Sequence, residues 1–154
     1  IDDRRVGQHR VGAPERAPGL GGDAVRLMPL DVIGGVRVGW PQKLSAYAGV
    51  GLPEKRYSGG YTGLAVTAEA GLGAGAVRAG WTSTGGVGML ARAQLGVMRT
   101  WGDPWVVGPG QTWVGGDAQA GFGYVGFAVG AWVRAPAGEF DPAPMLTFNL
   151  YFGN

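Results

Sequence analysis

The stretch VGMLARAQLGV, residues 87–97, puts Val87, Met89, Ala91, Ala93, Leu95 and Val97 at every second position, with Gly88, Leu90, Arg92, Gln94 and Gly96 between them. A period of two sends successive side chains to opposite faces of a strand. One face is wholly apolar, and the other carries an arginine, a glutamine and two glycines. The pattern recurs on both sides. Leu44, Ala46, Ala48, Val50 and Leu52 alternate with Ser45, Tyr47, Gly49 and Gly51, and Leu64, Val66, Ala68, Ala70 and Leu72 alternate with Ala65, Thr67, Glu69 and Gly71. Further along come Val114, Ala118, Ala120, Phe122 and Tyr124, then Phe127, Val129, Ala131 and Val133, then Leu146, Phe148, Leu150 and Phe152. Val36, Val38 and Trp40, and Val77, Ala79 and Trp81, make two shorter sets.

The alternation predicts eight strands, at 30–40, 42–52, 62–73, 76–83, 87–101, 113–123, 126–135 and 145–153. Turn signals separate them: Pro41, the 53–60 stretch, Ala74-Gly75, Gly85-Gly86, the 102–110 loop and 135–144. Consecutive strands with short connections imply an antiparallel meander. The predicted fold class is all-β, an eight-stranded up-and-down barrel occupying residues 24–154. Residues 1–23 carry charges, prolines and glycines without a period and are expected to form an irregular N-terminal arm, a place to look for partner contacts. Residues 1–16 are polar and hold no apolar core of the secretory-signal kind, so an exported protein is expected here in its mature form.

Composition narrows the function classes. Glycine supplies 32 of 154 residues, against about 7% in ordinary proteins, yet without the period of collagen. No apolar run approaches the ~18 residues of a membrane helix. The absence of cysteine removes disulfides, zinc–thiolate sites and thiol chemistry. A single histidine, His9, leaves no multi-histidine metal site and no histidine triad within a strand. A net charge of +2 is too small to argue for nucleic acid as a partner.

The thinly charged face is wrong for water. It consists mostly of Gly, Ala, Ser and Thr, with Arg37, Lys43, Glu69, Arg78, Arg92, Gln94, Asp117, Gln119 and Arg134 scattered through it. A solvated face is dense in Lys and Glu, whereas small residues with a few charges suit the inside of a narrow barrel. The apolar face then looks outward into lipid, the inverted pattern of a transmembrane barrel, and most strands approach the ~9–11 residues that cross a bilayer at a tilt.

Lumenal charges should be paired. A two-residue turn at Ala74-Gly75 would set Glu69 diagonal to Arg78, and one at Tyr124-Val125 would set Asp117 diagonal to Arg134. Tyr47, Arg92, Trp132 and Tyr151 point inward by parity and together plug the lumen. Outward aromatics fall at the strand ends as girdles, with Trp40 and Trp101 at one end and Trp81, Tyr124, Phe127 and Phe152 at the other. Arg99 points outward and is placed at the rim beside Trp101. Inward cations outnumber inward acids, so a leak through the lumen would favour anions.

Over residues 28–154 the chain resembles small eight-stranded outer-membrane barrels of the OmpA-transmembrane, OmpX or OmpW kind. The final run LTFNLYF, residues 146–152, is similar to the alternating C-terminal signal of that group, carried here by Phe148, Leu150 and Phe152, with Gly153-Asn154 following it. The resemblance implies a bacterial outer-membrane location, the lipid bilayer and the barrel-insertion machinery as partners, and longer loops facing outward from the cell. It implies no cofactor and no metal. Loop acids Glu54, Asp103, Glu139 and Asp141 form no acid–base pair, and GLGAG at 71–75 precedes no helix, so no catalysis is expected. A structural or partner-binding protein within an envelope assembly is the first expectation. A narrow channel or small-molecule carrier using the lumen is the second, and a soluble β-rich subunit of a fibre or shell the third.

Overall fold

A computed structural model of the chain describes residues 30–135 and 144–153. The predicted arm 1–23, His9, Glu139 and Asp141 lie outside the described residues. Eight strands follow in order: β1 Asp31–Gly39, β2 Lys43–Tyr57, β3 Gly60–Gly71, β4 Ala74–Thr84, β5 Met89–Thr100, β6 Thr112–Phe122, β7 Val125–Ala135 and β8 Met145–Gly153. Each pairs antiparallel with its neighbours in sequence, and β1 closes on β8 through Gly35–Gly153 to Gly39–Asn149. The fold is an up-and-down barrel with no free edge, which is how an all-antiparallel sheet disposes of unpaired backbone groups.

Three connections differ from the sequence reading. The 53–60 stretch is mostly strand: β2 runs on to Tyr57, and the reversal is Ser58-Gly59, with Gly59 at φ +84°. Pro53 is accommodated because the pairing slips between Pro53 and Lys55, a bulge that needs no N–H there. The last short hairpin turns at Gly123-Tyr124, not Tyr124-Val125, because Gly123 takes the left-handed conformation (φ +61°) that a tight two-residue loop favours. This moves the β6–β7 register by two residues. Similarly, the β3–β4 reversal is Leu72-Gly73.

One end of the barrel, the hairpin end, carries Ser58-Gly59, Gly85–Gly88 and Gly123-Tyr124. At the other, the loop end, residues 101–111 fold back over the opening. Lys43 Nζ lies 2.8 Å from Asp103 and 5.9 Å from the Trp105 ring, the Thr100 hydroxyl donates to the Gly108 carbonyl at 2.8 Å, and Val107 packs on the apolar cluster beneath.

Between the rims, the outward positions of all eight strands carry only Val, Leu, Ala, Phe, Trp, Met and Gly. Many stand well exposed, among them Val32 at 77%, Leu95 at 75% and Leu146 at 68%. The interior is layered. At the loop end Ala74, Ala76, Met98, Trp113, Trp132 and Met145 form an apolar cluster, and toward the hairpin end Ile33, Tyr47, Ala65, Leu90 and Tyr151 form another. Charged and amide side chains fill the space between them.

Candidate functional site

The most elaborate chemistry lies in this middle layer. Parity aims Arg37 (β1), Glu69 (β3), Arg78 (β4) and Asp117 (β6) at the barrel axis, and all four are buried. Arg78 Nη1 donates to Glu69 Oε2 at 2.5 Å, and its Nε lies 2.8 Å from Asp117 Oδ2. Arg37 Nη1 reaches the same two oxygens, at 3.2 Å and 3.6 Å. Two cations and two anions thus form one neutral quartet spanning the lumen. Ser45 donates its hydroxyl to the other Glu69 oxygen, and Gln119 Nε2 donates to Asp117 Oδ1 at 2.9 Å. Gln119 also reaches Gln94 Oε1, which accepts from the Thr67 hydroxyl at 3.2 Å. The arginines are flanked by rings as well: Arg37 lies 5.0 Å from the Tyr47 centroid, and Arg78 lies 5.6 Å from that of Trp132. A buried charge survives only when paired and hydrogen-bonded, and here each carboxylate touches both guanidinium groups.

The predicted Glu69–Arg78 pair is therefore brought together. Asp117 pairs with Arg78 and Arg37 instead of Arg134: the two-residue register shift sets Arg134 opposite Trp113 at the loop end, where it is exposed. Tyr47, Arg92, Trp132 and Tyr151 are all inside the lumen, none more than 4% exposed. Glycines make room for the rings: a Cβ on Gly126, directly paired with Tyr151, would overlap that ring.

Trp81, Tyr124, Phe127 and Phe152 are exposed toward the hairpin end, and Trp40 and Trp101 sit at the loop end. Trp40 Nε1 donates to the Leu146 carbonyl at 2.7 Å and Trp101 Nε1 to the Gly71 carbonyl at 3.0 Å, so each ring is tied to the rim backbone. Tyr57 at the hairpin end and Trp105 at the loop end are exposed aromatics outside the period-two sets, and Phe122, which the alternation places outward but the girdle set omits, is exposed at the hairpin end as well. Phe148, Leu150 and Phe152 all face outward on β8. Arg99 is exposed at the loop-end rim and donates to the Thr112 hydroxyl at 2.6 Å.

Sequence reasoning placed Arg37 inward and gave it no partner. Its contact with Glu69 crosses from β1 to β3 over the lumen, a distance set by closure and not by neighbouring strands. A cavity of about 600 Å³ opens at the hairpin end, with Arg56 and Asp31 paired at 3.3 Å on its rim and Arg92 in its lining. Among the described residues no group of His, Cys, Asp and Glu is placed to hold a metal ion. Compared with protein-family models, curated proteins and solved structures, the chain matches none.

Proposed function

We propose that this protein is a non-enzymatic, membrane-spanning β-barrel of the small outer-membrane kind, acting as a rigid scaffold that presents its loops and N-terminal arm to a partner. The observation that carries the reading is a combination. The outward wall is free of charge between the rims, while four of the five buried charges among the described residues are gathered in the neutral Arg37–Glu69–Arg78–Asp117 quartet. In water that arrangement is unfavourable because it exposes a continuous apolar band, whereas the quartet is desolvated by the barrel itself in either medium. In a bilayer the apolar band becomes the solvated face, and the quartet fills a lumen that lipid cannot enter.

Aromatic side chains at both rims fit the two membrane–water interfaces. Phe148, Leu150 and Phe152 on the outward face of β8 suit recognition by a barrel-insertion machinery. The pinned 101–111 loop offers a preformed surface at the loop end. The filled lumen, with Trp132 and Tyr151 each 1% exposed, favours a scaffold over a channel.

The test is purification with and without detergent, read on a gel with and without heating. A detergent requirement and a faster-migrating unheated band support the reading. Free solubility without a mobility shift overturns it and leaves the apolar wall as an assembly interface.

A further inference from the structure

Among the described residues, the lumen contains one cation more than its carboxylates balance. Arg37 and Arg78 are neutralised by Glu69 and Asp117, whereas Arg92, on β5, forms no ion pair among the described residues. Arg92 is 2% exposed, its Nε donates to the Thr82 hydroxyl at 3.3 Å, and its Nη1 has no partner. Its strongest electrostatic neighbours are the phenols of Tyr47, Tyr61 and Tyr151 and the cationic Arg37. The hydroxyls of Tyr47 and Tyr151 are buried and also lack partners. Buried donors of this kind are costly unless something accepts from them, and this cluster holds a positive charge together with two idle O–H groups.

The cluster is not sealed. Arg92 lines the cavity of about 600 Å³ at the hairpin end, within the range of about 300–1,000 Å³ usual for small-molecule sites. Ile33, Tyr57, Tyr61, Met89 and Leu90 contribute apolar wall to the same cavity. Arg56, the other cation there, sits at the rim against Asp31. The deep end is thus cationic and the sides are apolar.

We infer that this cavity binds a small organic anion, with the Arg92 guanidinium receiving an oxyanion head and the apolar wall receiving the body of the ligand. A guanidinium gives two parallel N–H donors to a carboxylate or phosphate ester, and such charge-assisted bonds strengthen away from water. The site is independent of what surrounds the outer wall, so it stands or falls separately from the membrane reading.

Octanoate, octanol and inorganic phosphate are titrated calorimetrically into the full chain folded in non-ionic detergent, or in buffer if it proves soluble. The expected result is saturable one-to-one binding of octanoate, with octanol and phosphate each weaker by about tenfold or more. Arg92→Gln, with folding checked by the unheated gel band, is expected to weaken octanoate by about tenfold or more. Met89→Ser, in the exposed apolar wall of the cavity, leaves the lumen packing intact and is expected to weaken it by about threefold or more, which tests the site even if Arg92→Gln does not fold. Absence of saturable octanoate binding, affinity unchanged in either variant, or octanol binding equal to octanoate would overturn the site. Phosphate binding as tightly as octanoate would overturn an organic ligand in favour of free inorganic anion.

Discussion

Arg78 Nε lies 2.8 Å from Asp117 Oδ2, joining strands β4 and β6 through the barrel axis. Glu69 holds the same guanidinium at 2.5 Å, so Arg78 sits at the centre of the lumen's electrostatics. Removing one member of such a cluster strands the others without compensation. Asp117→Asn is expected to destabilise the barrel by about 3–5 kcal/mol, measured by urea unfolding in detergent or vesicles. Arg134→Gln, at the exposed position that the sequence reading had paired with Asp117, is expected to stay within about 0.5 kcal/mol of the parent.

That contrast marks where the sequence was legible. The number, order and facing of the strands follow from period-two alternation and glycine or proline punctuation, both local properties. Glu69 and Arg78 were found because either turn placement leaves them diagonal neighbours on adjacent strands: with Leu72-Gly73 as the reversal, Glu69 pairs with Ala76, two residues from Arg78. Asp117 and Arg134 are mispaired because the turn sits one residue earlier, on Gly123, and so shifts the register by two, which keeps parity and changes every partner. The β2–β3 hairpin looks like a loop in the sequence because Pro53 and the charges at Glu54, Lys55 and Arg56 mask strand character that a bulge accommodates. Arg37's role was illegible for a different reason. It depends on β1 closing against β8 and on the width of the resulting lumen, neither of which any short window of sequence encodes.

A charge placed in the middle of the outer wall separates lipid from water as the surrounding medium. Leu95, 75% exposed near the middle of β5, is the position of choice. Leu95→Arg is expected to cost about 2–4 kcal/mol of folding free energy in lipid vesicles. On a water-facing wall the same change would be close to neutral, which unfolding titrations would resolve.

Close packing of rings on glycine predicts a coupled pair. In Gly126→Ala the new methyl overlaps the Tyr151 ring and the Ala120 carbonyl, and overpacking of this sort costs about 1–3 kcal/mol. Trimming the ring in a Gly126→Ala/Tyr151→Val double variant is expected to be less damaging than the sum of the single changes. A double-mutant cycle measures the coupling.

Among the described residues, the quartet and the Trp132 cluster fill the axis of the barrel, and the pinned 101–111 loop folds over its loop end. Purified protein in planar bilayers is therefore expected to give no stepwise conductance above the bare membrane. Stable open steps would favour the channel reading, and the spare cation Arg92 would then make them anion-selective.

Contact of the apolar wall with lipid, as proposed, is tested most directly by site-directed labelling. The chain contains no cysteine, so single cysteines at Val66, Leu95 and Val133 can carry nitroxide labels without background. In lipid vesicles, the labels are expected to relax strongly with dissolved oxygen and weakly with a water-soluble nickel chelate, while a label at Glu54 shows the reverse. Strong nickel accessibility at all three wall positions would contradict a membrane-spanning barrel.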